Sequence, residues 1–182
     1  MLEIRIHGRG GQGAVVASKV LALAAFKEGR HVQSFPAFGV ERRGAPVAAF
    51  TRIDDRPILL HCEIYRPDHL MILDPTLMEI IDVTAGLKPD GCILINTPHP
   101  ATRFALPTRF RVAVVDASAI AVRHGLGSPR FPIVSTAIVG AFSRTTGIVG
   151  LEAVLEAISE AVPIAPEANV AAAKEAYEQV KV

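Results

Sequence analysis

Gly8, Gly10 and Gly13 are spaced as G-x-G-x-x-G, with Arg9, Gly11 and Gln12 between them. Between a strand and a helix, such a turn aims unpaired backbone N–H groups at an anion and lets the chain approach a phosphate closely. A second segment carries charge of the matching sign. Ser34-Phe35-Pro36-Ala37-Phe38-Gly39-Val40-Glu41-Arg42-Arg43-Gly44-Ala45-Pro46 holds two aromatics, two prolines, two glycines and an arginine pair. Its prolines restrict the backbone and its glycines permit sharp turns, so it can be ordered without being helical. Arg42 and Arg43 suit bidentate pairing with carboxylate or phosphate, set against the commoner fate of adjacent arginines as a solvated surface pair.

A nicotinamide or flavin dinucleotide would require an acid about 20 residues after the glycines, at the tip of the second strand. That strand ends Gln33-Ser34-Phe35-Pro36, without an acid. A P-loop is excluded, because no Gly-Lys-Ser/Thr follows at its spacing. Four readings of the glycine turn stay open: a dinucleotide despite the missing acid, another phosphate-bearing ligand, a subunit contact, or close helix–strand packing alone. Other chemistry has little support. The six histidines show no zinc spacing, and His61, Cys62 and Glu63, as strand neighbours, would point to opposite faces. Ser18 has no identifiable His or Asp partner, so no catalytic residue is assigned. Asp74 and Asp116 each follow an apolar strand and are expected to cap what comes next or to line a binding edge.

The elements that position these residues alternate between strand and helix. Leu2, Ile4 and Ile6 alternate with polar residues, the period of a strand, and Ala14 to Phe26 is helix-forming. Gly29 marks that helix's end, and His31 to Phe35 reads as a second strand. Val47 to Ile53 and Ile58 to Leu60, separated by the turn Asp54-Asp55-Arg56-Pro57, form an expected antiparallel hairpin. His69 to Asp74, Cys92 to Asn96 and Val112 to Asp116 are apolar strands buried on both faces. Helices are expected over Thr76 to Leu87, from a Ser118 cap to His124, over Ser135 to Arg144, and along two C-terminal stripes. Leu151, Val154, Leu155, Ile158 and Val162 form the first stripe, and Val170, Ala173, Tyr177 and Val180 the second. The pattern specifies an α/β chain with a Rossmann-like three-layer fold: a mostly parallel sheet, one antiparallel hairpin, helices on both faces. Residues 1–182 read as a single domain, with no internal repeat and no long linker.

Composition bounds the function classes. Half of the 182 residues are apolar and the formal net charge is +1, so nothing draws the chain to nucleic acid or to an anionic membrane. No run of about 18 apolar residues exists to span a bilayer. Met-Leu-Glu-Ile-Arg-Ile-His lacks the basic and apolar regions of a signal peptide, and a cytoplasmic location is expected. Cys62 and Cys92 are the two cysteines, expected to be reduced and partly buried. They cannot supply the four thiolates of a conventional iron–sulfur cluster.

Gly8 to Ala14 and Ser34 to Pro46 together resemble the gamma subunit of pyruvate:ferredoxin oxidoreductase, in the 2-oxoacid:ferredoxin oxidoreductase family. The resemblance continues through Ile64-Tyr65-Arg66-Pro67-Asp68, Leu73-Asp74-Pro75-Thr76-Leu77, Gly86-Leu87-Lys88-Pro89-Asp90-Gly91 and Ile95-Asn96-Thr97. It covers most of the chain, in order, and Glu41 to Pro46 is more like the pyruvate branch than the 2-oxoglutarate branch. The resemblance implies a complex that cleaves a 2-oxoacid, transfers its acyl group to coenzyme A and reduces ferredoxin. It further implies thiamine diphosphate, magnesium and iron–sulfur clusters on alpha, beta and delta partner subunits, with none held tightly by this chain. The isolated chain is then expected to be inactive, and its own role to be assembly and presentation of coenzyme A. The implied contacts are Gly8, Arg9, Gly10, Gly11, Gln12, Gly13, Arg42 and Arg43. A stand-alone NAD(P)-dependent oxidoreductase and a non-catalytic interaction module are the alternatives.

Overall fold

A computed structural model describes residues 1–37 and 44–182. Its centre is a six-stranded sheet of β1 (Leu2–Arg9), β2 (His31–Pro36), β3 (Pro46–Asp54), β4 (His69–Ile72), β5 (Cys92–Asn96) and β6 (Arg111–Val115), in the order β2-β3-β1-β4-β5-β6. From β1 to β6 the strands run parallel, whereas β3 lies antiparallel between β1 and β2. The helices α1 (Ala14–Lys27), α2 (Ala117–Arg123), α3 (Ser135–Thr146), α4 (Leu151–Ala161) and α5 (Pro166–Gln179) share one core with one sheet face. A small hairpin, β7 (Gly127–Ser128) with β8 (Phe131–Pro132), joins α2 to α3.

The period of two divides each apolar strand between two cores. Met71 and Leu73, Leu94, and Ala113 and Val115 face the α-helices. Leu70 and Ile72, Ile93 and Ile95, and Val114 face the other way, against Leu77, Val83, Leu87 and Phe110. This second layer is thin, built from the 3-10 helices Pro75–Glu79 and Ala101–Arg103 and from turns. The three-layer, mostly parallel α/β arrangement read from the sequence is thus present, with unequal helical layers.

Two local expectations are corrected. Ile58 to Leu60 forms no strand, and Leu59 is exposed. Both edges of β3 are already filled by β1 and β2, so the antiparallel hairpin is β2–β3 instead. Thr76 to Leu87 is not one helix. Thr84 donates both its N–H and its hydroxyl to Asp82, an alternative to helical bonding, and Gly86 turns left-handed at φ 76°. A Cβ on Gly86 would lie 2.0 Å from the Tyr65 carbonyl oxygen, so the chain must pass there as glycine. Two smaller shifts accompany these. Asp116, rather than Ser118, caps α2 by accepting from the Ala119 N–H. The buried face of α5 is Asn169, Ala172, Ala173 and Ala176, because Gly140 of α3 packs directly onto the Ala173 backbone.

Under β1 and β3 the second face is polar but closed. Arg52 is almost wholly buried, paired with Glu3 at 3.0 Å and donating to Gln33 at 3.1 Å. His7 lies on the same face, and its Nε2 accepts from Arg5 Nε at 3.0 Å. Burial and the Arg5 charge push the His7 imidazole down to about 4 from its ordinary 6.5. Between those values the unfolded chain takes up a proton that the folded chain refuses, so stability is full above pH 6.5 and declines as pH falls. Urea unfolding near pH 5 should therefore show about 2 kcal/mol less stability from this residue than near neutrality. His7→Gln should flatten that part of the profile; a variant that keeps the whole slope would place its origin elsewhere.

Candidate functional site

The connections leave the sheet on opposite faces: β1 leads through α1 on one side, β4 to β6 through turns on the other. The carboxyl ends of the neighbouring parallel strands β1 and β4 therefore diverge, which is where open α/β sheets form a ligand crevice. A cavity of about 270 Å³ occupies this position, lined by the glycine loop, Gly44, Asp74 and the β8 side of the small hairpin, including Arg130.

Asp74, which caps the 3-10 helix, organises the floor. Its Oδ2 accepts from Arg9 Nε at 2.9 Å and from Gln12 Nε2 at 3.2 Å. Its Oδ1 accepts from the Thr76 N–H at 3.0 Å and the Thr76 hydroxyl at 2.6 Å. Arg9 donates also to Thr76 Oγ1 and the Gly44 carbonyl, so each of its three nitrogens has a partner. Burial opposes ionisation of Asp74, but the Thr76, Arg9 and Gln12 bonds outweigh it and hold the carboxyl below its ordinary range. One step behind, Asn96 donates to the Leu73 carbonyl and to Ser118, tying the ends of β4 and β5 to α2.

The loop's backbone is partly self-satisfied. Gly10 N–H donates to Ala45 and Gly44 N–H to Gly10, while Gln12 N–H donates to Arg9. Among the described residues, the N–H groups of Gly11 and Gly13 have no acceptor, and α1 has no side-chain cap over its first turn. Gly11 and Gly13 are left-handed at φ 95° and 87°. Beyond Gly11 lies a second, mostly apolar cavity of about 360 Å³, lined by Val16, Leu126, Ile133, Val162 and Ile164.

Residues 3–179 match the family described as pyruvate ferredoxin/flavodoxin oxidoreductase. The common gamma subunit of the pyruvate/ketoisovalerate oxidoreductases of Thermococcus kodakarensis is 52% identical over 186 residues, covering 100% of this chain and 98% of its own. The chain belongs to the pyruvate:ferredoxin oxidoreductase family, as its gamma subunit. The pyruvate synthase subunit PorC of Methanocaldococcus jannaschii is 50% identical over 181 residues, covering 99% and 97% of the two chains. The crystal structure of the pyruvate oxidoreductase subunit PORC of Thermotoga maritima superposes with a TM-score of 0.84 at 38% identity, over 99% and 97%.

Within this gamma subunit, Arg9, Gly10, Gly11 and Gln12 line one crevice together with Gly44 of the second motif, whereas Gly13 lines the neighbouring apolar cavity and Gly8 lies in β1. Arg42 and Arg43 lie outside the described residues. Arg9 is spent on Asp74 rather than left as open charge. Sequence reading missed Arg130 and Asn96. Arg130 sits in Gly-Ser-Pro-Arg-Phe-Pro, a proline-flanked turn with an aromatic, and this composition was its available signal. Cys92 is buried in β5, where burial pushes its thiol up to about 11, while Cys62 is exposed, contrary to expectation. Among the described residues no three His, Cys, Asp or Glu side chains converge on a metal-sized point, and no helix is long and apolar enough to cross a membrane.

A Cβ at Gly13 would lie 2.9 Å from Ser135 Cβ in a left-handed conformation, whereas at Gly8 it would meet Ala14 Cβ at an ordinary 3.4 Å. Gly13→Ala should cost about 2 kcal/mol or more in denaturant unfolding and Gly8→Ala less than about 1 kcal/mol. Equal costs would contradict this division of roles. Asp74→Asn should lower stability by about 1–3 kcal/mol at neutral pH. The wild-type contribution should fade as pH falls below the unfolded carboxyl value of 3.8, because the folded value is lower still.

Proposed function

We propose that this gamma subunit presents coenzyme A to a multi-subunit 2-oxoacid:ferredoxin oxidoreductase and helps to hold that assembly together. The observation that carries the reading is the switch-point floor. Gly11 and Gly13 offer unengaged N–H groups beside the α1 N-terminus, and the nearby Asp74 carboxylate is already neutralised by Arg9. Phosphate groups suit such a floor, and coenzyme A carries several. Gly8, Gly10, Gly11, Gln12 and Gly13 shape it, with Arg42 and Arg43 as further cations.

In the overall reaction, 2-oxoacid, coenzyme A and oxidised ferredoxin give acyl-coenzyme A, carbon dioxide and reduced ferredoxin. Thiamine diphosphate, magnesium and the iron–sulfur clusters belong on this reading to alpha, beta and delta partners, which also meet ferredoxin. The chain by itself turns nothing over, and the complex works in the cytoplasm. Pyruvate is the substrate that the relatives' names favour. The Thermococcus relative is a gamma subunit common to pyruvate and ketoisovalerate oxidoreductases. By extension, the choice of 2-oxoacid lies with the partners here too.

A nicotinamide dinucleotide fits less well. In that role the strand beside β1 must end at the glycine loop and bring a carboxylate to the ribose. Here antiparallel β3 takes that place, and the tip of β2 is two strands away, about 10 Å, and ends in Pro36.

The test is Gly11→Val in the assembled complex. Its Michaelis constant for coenzyme A should rise by about tenfold, because a β-branched side chain crowds the phosphate and disfavours the left-handed backbone that aims the Gly11 N–H, a cost on the order of one charge-assisted hydrogen bond. An unchanged constant with normal assembly would remove coenzyme A from this loop. Failure to assemble with the isolated chain still folded would make the loop an interface.

A further inference from the structure

We propose that Arg130 is the side chain that grips a phosphate of the ligand in the switch-point crevice, a role that rests on the coenzyme A reading above. The floor's own arginine is already committed to other partners. Arg9 directs Nε to Asp74, Nη1 to the Gly44 carbonyl and Nη2 to Thr76 Oγ1, so each of its three nitrogens is committed within the floor and Asp74 balances its charge.

Arg130 approaches the same cavity from the opposite wall. It is exposed and, among the described residues, pairs with no carboxylate; its guanidinium lies over the Phe131 ring, 5.7 Å from the centroid. The turn that carries it is well fixed. Gly127 pairs with Pro132 and Ser128 with Phe131, the Phe131 N–H donates to Ser128 Oγ, and the Ile133 N–H donates to the Leu126 carbonyl. Gly127 is left-handed at φ 83°, and a Cβ there would lie 2.4 Å from the Phe131 carbonyl oxygen, so this turn has one tight backbone course. Both flanks run into helices seated in the main core, α2 through Ile120 and Ala121, and α3 through Ala137 and Ile138. A guanidinium held this way needs little reordering to meet a phosphate through two parallel N–H bonds.

The neighbouring apolar cavity narrows the ligand class. It shares Gly11 with the crevice, so a phosphate at Arg130 leaves the rest of its molecule beside Val16, Ile133 and Ile164. A phosphorylated nucleotide with an apolar extension satisfies both walls, whereas inorganic phosphate uses only one.

The experiment compares coenzyme A with pantetheine, an acyl acceptor without phosphate, in the assembled complex carrying Arg130→Ala or Arg130→Lys. Arg130→Ala should raise the Michaelis constant for coenzyme A by about 10- to 100-fold. The constants for pantetheine and for the 2-oxoacid should stay as they are. Arg130→Lys, which keeps the charge and loses the planar fork, should fall between. Equal effects on both acceptors, no effect on either, or a complex that fails to assemble would overturn the assignment. Gly11→Val separates the two levels. If it raises the coenzyme A constant while Arg130→Ala does not, the crevice binds coenzyme A without Arg130; if neither variant does, the coenzyme A reading itself fails.

Discussion

The carboxylate of Asp74 joins the two strand ends on either side of the sheet's switch point, and the glycine loop takes its shape from that junction. Four donors from Arg9, Gln12 and Thr76 converge on its two oxygens. A half-buried carboxylate is costly unless it is paired, so these groups are mutually dependent. Arg9 and Gln12 belong to the loop after β1, whereas Asp74 and Thr76 follow β4. Asn96 extends the same connection to β5 by holding the carbonyl of Leu73, the residue just before Asp74. The crevice is therefore defined by hydrogen bonds running across the strand ends, in addition to the sheet register beneath them.

This junction alters the electrostatics that the loop's composition suggests. An arginine inside a glycine turn reads as charge offered to a ligand, yet here it balances the carboxylate that fixes the turn. What remains for an anion is the backbone, at Gly11, Gly13 and the start of α1, together with cations that other segments bring. The glycines also divide their work. Gly13 is required by its left-handed backbone and by Ser135 close behind it, while Gly8 occupies a ladder position with room for a methyl group.

Much of the fold was legible because burial on both faces leaves continuous apolar strands. Leu70 to Leu73 and Ile93 to Ile95 needed no knowledge of what covered them. The misread elements are those whose outcome depends on partners distant in sequence. Ile58 to Leu60 has strand composition, but the edge it would need is occupied by β2. Thr76 to Leu87 has apolar residues at near-helical intervals, but the Asp82 side chain and the Gly86 approach to Tyr65 compete locally with a helix. At the site, the glycine motif and the Asp74 cap could be seen from local pattern. For Arg130 the proline-flanked turn was the one local signal, and its place at the crevice comes from α2 and α3 carrying a short hairpin over the loop from more than a hundred residues away.

The antiparallel β3 is what separates this G-x-G-x-x-G turn from a dinucleotide fold of the same spacing. Inserting one strand between β1 and β2 leaves the turn and the helix N-terminus intact, because both depend only on β1 and α1. It removes the second strand's tip from reach, and with it the site for a ribose-binding acid. In its place the start of β3 brings Gly44 and Ala45 against Gly10, with paired backbone bonds of 3.0 and 2.9 Å. Gly44 and Ala45, which follow Arg42 and Arg43 in sequence, are thus tethered to the glycine loop itself. The glycine turn and its spacing are thus shared with the dinucleotide fold, while the groups set beside the turn differ because the topology differs.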